Sequence, residues 1–232
     1  MGLQPLKSLK APPPGEAMEP PAPRKWRRRK GARPQEILAA ALAVFSEKGF
    51  SAARMEDIAA RAGVSKGAVY LYYGSKQDMF RTLVREGIAA NLRTGAEMAQ
   101  HYECSSAELL RRVLGAAVRA ILTSPLAAVP KIIIAESGNF PEIAEFYRRE
   151  VIDAGLGLIM QIIERGVARG EFRALNAEYT ARLCIAPVVL SALWKSCFDQ
   201  FDQTPFDAGA FIALHLEIFL AGISIPAQKE PA

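Results

Sequence analysis

The 232-residue chain is half apolar, 23% charged and carries a net charge of +5, which excludes both an unstructured polyelectrolyte and a peptide too short to build a core. Its three cysteines, Cys104, Cys184 and Cys197, are odd in number, widely spaced and free of any CxxC pattern, which excludes a disulfide framework and predicts reduced, cytosolic thiols. The charge is uneven: nine Lys/Arg against Glu16 and Glu19 give residues 1–33 a charge of +7, and the remainder sums to −2, so a polyanionic partner is expected at the N-terminal arm, either nucleic acid or an acidic membrane surface.

Residues 1–32 are Pro-rich and basic without hydrophobic periodicity, which predicts a disordered arm. Met1–Gly15 lacks the apolar run of a secretory signal. From Pro34 onward apolar residues recur at helical spacing. Ile37, Leu38, Ala41, Leu42, Val44 and Phe45 form the stripe of a first helix, with Pro34 suited to its first turn and Gly49 to its stop. A short helix follows near Met55–Ala62, ended by Gly63. Ser65 can cap another over about Lys66–Tyr72, and after Gly74, Ser75 can cap a long helix with Asp78 in its first turn. Ser105 and Glu108 have capping-box spacing before a helix to about Ser124. Pro125 and Pro130 bracket the next start, Phe140–Pro141 opens a long helix closed by Gly170, and Asn176 caps one in which Pro187 predicts a kink or break. A last helix runs from about Phe206 to Ile223. The expected fold is all-α with nine helices: a three-helix N-terminal domain over 33–86 and a larger helical domain over 87–226.

The informative stretch is Met55–Lys76, MEDIAARAGVSKGAVYLYYGSK. Ile58 and Ala59 give an apolar inner face, Ala62 and Gly63 permit close packing, and Val64 buries at the turn. Two short helices joined by a tight Ala-Gly-Val-Ser turn make a helix-turn-helix. The second helix presents Lys66, Gly67, Ala68, Tyr70 and Tyr72 on or near one side. Its small residues allow close approach to base edges, and Lys66 can reach a phosphate or a guanine edge. The tyrosine hydroxyls and Lys76, at the N-terminus of the following helix, can clamp phosphates.

At these residues the chain resembles the tetracycline-repressor (TetR) family. The family's pattern is matched by Ile37 to Phe45, by Gly49-Phe50, by Ile58 to Ser65, and by Tyr70 to Tyr73 before Ser75-Lys76. The chain departs from it where Ala53, beside Arg54, and Ala68 stand for threonines and Tyr73 for a phenylalanine; these changes bear on the operator, with Arg54 able to replace one lost contact. The resemblance implies DNA contacts from Arg54, Ser65, Lys66, Gly67, Ala68, Tyr70, Tyr72 and Lys76. It also implies a C-terminal domain that encloses an effector and dimerises through the last two helices, about 177–200 and 206–223. Ile134–Glu136 and Arg169–Phe172 more loosely resemble the AcrR-like members. Tyr73 is expected in the core.

The arm Arg24–Arg33 can enter a minor groove or lie on phosphates, or be a solvated tail. Phe140, Tyr147, Met160, Trp194 and Phe198 are candidates for an apolar effector pocket, although plain core is the commoner use of such residues. From about residue 87 the charge is −3, so no second DNA-binding domain is expected. The apolar run Ala208–Gln228 has His215 and Glu217 at its centre, which argues for burial against a partner subunit over a membrane span. His101, Glu103 and Cys104 do not give four convergent metal ligands. Without a catalytic motif, cofactor fingerprint or metal set, no enzyme is expected. The reading is a homodimeric repressor of double-stranded DNA released by a small apolar effector. The alternatives are an architectural DNA binder acting through its arm, and an enzyme or carrier using the C-terminal cavity.

Overall fold

The first helix starts where a proline supplies a fixed φ and ends where Gly49 turns left-handed at φ +79°. In the computed structural model, residues 34–226 are described; the basic arm, with Arg24–Arg33, lies outside them. Nine helices form among the described residues: α1 Pro34–Lys48, α2 Met55–Ala62, α3 Lys66–Tyr72, α4 over 76–100, α5 Ser106–Thr123, α6 over 125–136, α7 over 141–168, α8 Ala177–Cys197 and α9 Ala208–Ile223. The one extended feature among these residues is an antiparallel bridge between Phe172 and Ser224.

Side-chain caps account for most starts. Ser65 Oγ accepts from the Ala68 N–H at 3.2 Å, Ser75 Oγ from Asp78 at 3.1 Å, Ser105 Oγ from Glu108 at 3.2 Å and Asn176 Oδ1 from Tyr179 at 2.9 Å, each removing one orphan donor of a helix end. At Ser105 only this half of the expected capping box forms, because the Glu108 carboxylate accepts from Arg112 Nε at 2.8 Å. Pro187 does not break α8, which is helical on both sides of it. Its missing N–H falls beside a second support: His215 Nε2 of α9 lies 3.2 Å from Cys184 O, and since a carbonyl only accepts, that nitrogen carries the proton.

Two apolar clusters organise the molecule. The first gathers α1 to α3 and the start of α4 around Phe45, Phe50, Ile58, Val69 and Phe80, and it extends into Val129, Ile132, Ile143, Phe146 and Tyr147 of α6 and α7. The second gathers α5, the later part of α7, α8 and α9 around Leu110, Leu114, Ile159, Ile162, Phe172 and Cys184. We call the part containing α1 to α3 the head and the part built on the second cluster the body. The two long helices that join them are not uniform: α4 passes through a π-helical turn at Arg85–Ala89 and α7 through another at Arg148–Asp153. The turns face each other, with Arg85 Nη2 3.6 Å from Glu150 Oε1 and the Arg85 guanidinium 5.0 Å from the Phe146 ring. Such turns, with one residue too many for the α ladder, are characteristic of functional segments.

Candidate nucleic-acid interface and effector cavities

The head presents α3 outward because only one of its side chains is fully buried. Val69 is fully buried, whereas Ser65, Lys66, Gly67, Tyr70, Leu71 and Tyr72 are exposed and Ala68 is half-buried. The turn before α3 requires glycine: Gly63 sits at φ +73° and donates to Ala60 O, while Val64 donates to Ala59 O at 3.0 Å. This left-handed cap sets the angle between α2 and α3 at no steric cost. Tyr73 leaves the helix and packs inward, 7% exposed, with its hydroxyl donating to Pro34 O at 3.2 Å.

Surface ion pairs tie the head's helices together: Lys48 to Asp57 at 2.8 Å, Arg61 to Glu47, and Lys66 to Glu56 at 2.5 Å. The last bears on Lys66. Its ammonium lies 5.6 Å over the Tyr70 ring and is held by Glu56, whose carboxylate pushes the lysine pKa up. Lys66 therefore stays charged, and an exposed pair of this kind exchanges readily for a phosphate. Arg54 is exposed at the start of α2. Its guanidinium has no acceptor to offer as a cap, and Asp57 Oδ2 instead accepts from the Arg54 backbone N–H at 3.2 Å.

Lys76 is placed otherwise than its expected role as a phosphate clamp. Its ammonium donates to Phe50 O at 2.7 Å, Ser51 O at 2.7 Å and Ala53 O at 3.3 Å, and lies 4.9 Å from the Phe50 ring centre and 5.5 Å from that of Phe140. All three ammonium protons are engaged, so in this arrangement the side chain fastens the loop between α1 and α2. Partial burial pushes its pKa down, opposed by the nearby Glu136. Glu136 of α6 grips the same loop, with Oε1 accepting from the Ser51 N–H at 2.9 Å.

Leu71, which the sequence reading passed over, is 78% exposed on α3. An apolar side chain held in solvent one helical turn after Gly67 is the available signal for it. Such a group fits a thymine methyl.

The five effector-pocket candidates do not converge. Phe140 stacks edge-on against Phe50 at 5.1 Å, and Tyr147 is buried in the head's cluster, its phenol pushed up to about 12 by burial. Met160 packs on the body's cluster. Trp194 and Phe198 do meet, at 5.3 Å, but at the end of α8, where Trp194 Nε1 donates to Asp202 Oδ2 at 2.6 Å and Phe198 is half exposed. Two cavities lie elsewhere. One of about 310 Å³ lies between the end of α1, α6 and the end of α8. The other, of about 410 Å³, lies in the body beside Tyr102, Leu158, Ile162, Arg165 and Arg169. None of the five candidates lines either cavity.

No group of three or more His, Cys, Asp or Glu side chains is placed to hold a metal among the described residues. No single helix there is long and apolar enough to cross a membrane, and the run at Ala208–Ile223 is a helix of 16 residues.

Residues 37–83 match the family of bacterial regulatory proteins of tetR type, and residues 105–197 match the tetracyclin repressor-like C-terminal domain. The uncharacterized HTH-type transcriptional regulator YfiR of Bacillus subtilis is 39% identical over 80 residues, which cover 34% of this chain and 39% of that one. The chain thus spans about two fifths of the length of that relative. The HTH-type transcriptional repressor BepR of Brucella suis is 26% identical over 161 residues, 66% of this chain and 76% of the repressor. Among solved structures, the regulator FadR of Bacillus subtilis in complex with stearoyl-CoA superposes with a TM-score of 0.68 at 22% identity, over 82% of this chain and all of that one, a likeness of fold. Matched at both its head and its body, the chain is a member of the tetR family of bacterial regulatory proteins.

Proposed function

We propose that this protein is a homodimeric, ligand-responsive regulator of transcription, a repressor that leaves a palindromic operator when a small apolar effector binds. One observation carries the reading: a completed head core that fully buries only Val69 of α3, with Ala68 packed at its edge, and leaves Lys66, Gly67, Tyr70, Leu71 and Tyr72 on an exposed face. Nothing in the head's stability calls for that face; a major groove does. Lys66 and the tyrosine hydroxyls take phosphates, Gly67 and Ala68 admit the helix close to base edges, and Leu71 meets a thymine methyl. Ser65 and Arg54 lie at the two helix starts nearest the backbone. Lys76 acts from beneath, by holding the loop that carries α2.

The dimer reading is supported by α8 and α9. In the single chain, Tyr179, Leu183, Leu190, Leu214 and Ile218 are left in solvent, and Leu183 and Leu190 lie two turns apart on one face. A four-helix bundle across a twofold buries both faces. Relatives that bind DNA and small molecules make a nucleoid location in the cytoplasm the natural one.

Selection of binding sites from a random duplex pool at near-physiological salt tests the reading. The expected product is a palindrome with half-sites about 34–36 Å apart, or a multiple. Recovery of no preferred sequence, with affinity collapsing as salt rises, would refute it.

A further inference from the structure

One side chain joins the root of the basic arm to the end of α3. Arg24–Arg33 holds seven Lys or Arg and no acid, and five of the seven are arginines. Arg33 precedes Pro34, which opens α1, and the Pro34 carbonyl accepts from the Tyr73 hydroxyl at 3.2 Å. Tyr73 caps the C-terminal end of α3 and its ring is buried in the head's cluster. The root of the arm is therefore fixed within one tyrosine's length of the end of α3, where Tyr70, Leu71 and Tyr72 are exposed. Neighbouring major and minor grooves are half a turn apart, about 17 Å for a turn of about 34 Å. Five to seven residues of chain span at most about 18–25 Å. Arg29, Arg28 and Arg27 stand five to seven positions before Pro34, so they reach the minor groove beside the major groove assigned to α3.

We propose that Arg27–Arg29 enter the minor groove next to each half-site and select A·T pairs there, so that the protein reads base pairs that α3 does not touch. The composition favours this groove over the phosphate ridge and over a lipid surface. A phosphate takes lysine as readily as arginine, whereas a guanidinium is less strongly hydrated than an ammonium and is drawn into a narrow A·T minor groove. Gly31 and Ala32 put no bulk between the triplet and its root. A segment seated on a membrane needs an apolar face beside its charges, and Trp26 is the one large apolar residue of Arg24–Arg33. In the minor groove G·C differs from A·T by the guanine amino group, which obstructs the floor that the guanidinium would occupy. The place of the half-site comes from the regulator reading, which this binding mode deepens; the preference for A·T pairs does not depend on it.

The test is fluorescence anisotropy of the full chain on three duplexes that share the selected operator and differ in the pairs on either side of each half-site. These are A·T, G·C, and inosine·C, which offers the major-groove edge of G·C and the minor-groove edge of A·T. The A·T and inosine duplexes are expected to bind alike, and about fivefold or more tighter than the G·C duplex. R27A/R28A/R29A should abolish that difference and lower the log–log salt slope by up to about 2.7. R27K/R28K/R29K should keep the slope and lose most of the difference. The thermal midpoint of each variant checks that the head is folded. Equal binding of all three duplexes, inosine flanks bound like guanine flanks, or an undiminished preference in the alanine variant overturns the proposal. Arm-dependent binding to vesicles of phosphatidylserine and phosphatidylcholine, with no difference among the duplexes, overturns it in favour of a lipid surface. Plain duplexes built wholly of A·T, G·C or inosine·C pairs are measured beside the others. The same order there sustains the arm's preference even if no operator is recovered, an outcome that removes the regulator reading alone.

Discussion

Two glycines in one helix should respond oppositely to the same substitution. Gly166, in α7, faces Phe172: a Cβ built there would lie 2.1 Å from Cδ2, 2.5 Å from Cε2 and 2.9 Å from Cγ of the ring. The ring cannot swing aside cheaply. Phe172 is 2% exposed, its N–H donates to Gly166 O at 3.1 Å, and its neighbours are pinned to the chain end by Arg173 N–H to Ile223 O at 2.9 Å and Ile225 N–H to Glu171 O at 3.0 Å. Alanine at 166 gains about 1 kcal/mol of helix propensity but must push a buried ring back by more than about an ångström, and overpacking of this kind costs about 1–3 kcal/mol, sometimes more. With the ring fully buried and the overlap severe, the cost sits at the upper end, and the net expectation is a loss of up to about 2 kcal/mol, which for a chain of this size lowers Tm by up to about 8 °C. Gly157, two and a half turns earlier in α7, has no atom within 4 Å of its would-be Cβ. Gly157→Ala should therefore gain about 0.5–1 kcal/mol and raise Tm by about 1–4 °C. Scanning calorimetry at one fixed protein concentration, which holds any dimer contribution constant, measures both. If the two variants shift in the same direction, the account of the Phe172 contact is refuted.

Four further outcomes follow from the geometry. Lys66→Ala should weaken operator binding and reduce the log–log salt slope by about 0.9, one phosphate contact, with thermal stability nearly unchanged because the lost pair with Glu56 is exposed; an unchanged slope in a fluorescence-anisotropy salt series argues against the contact. Lys76→Met keeps the apolar stem and strips the ammonium from three carbonyls, so urea unfolding should show a loss of about 1–3 kcal/mol, and an unaltered midpoint would show the loop to be held by something else. Leu183→Glu combined with Ile218→Glu, both exposed in the single chain, should halve the mass seen by light scattering; a retained dimer places the interface elsewhere. Burial raises the Cys184 thiol from 9.0 and the Tyr147 phenol from 10.0, each to about 12. The folded chain thus holds protons that the unfolded chain releases, so stability is complete below pH 9 and falls as pH rises through the window from about 9 to 12. Cys184→Ala or Tyr147→Phe should flatten that alkaline limb in urea midpoints taken from pH 8 upward, and a steeper limb contradicts the burial argument.

Helix existence and order were legible because many boundaries carry a local cause: a cap at Ser65, Ser75, Ser105 or Asn176, and a left-handed glycine at Gly49, Gly63 or Gly170. The exposed face of α3 was legible for the same reason, since a short helix with one buried position has few ways to turn. What the pattern concealed was reach. A lysine at a helix start reads as a phosphate contact, and only the folded loop shows its ammonium spent on Phe50, Ser51 and Ala53. Trp194 and Phe198 share a face by spacing, yet whether that face lines a cavity depends on what α9 and its connection bring up, here Asp202 and Phe206. Pro187 signalled a kink or a break, and α8 runs through it unbroken.

The reach of the head's cluster into α6 and α7 sets the unit that can be transplanted. A hybrid regulator made by cutting after residue 86 and joining the first piece to a foreign body would leave behind Val129, Ile132, Ile143, Phe146 and Tyr147, and the recipient would have to offer an equivalent surface or the graft would present its apolar underside to water. For this protein the natural cassette for recombination is discontinuous: the first helices together with the stretch from 125 to 147, which a new body would have to accommodate as its own.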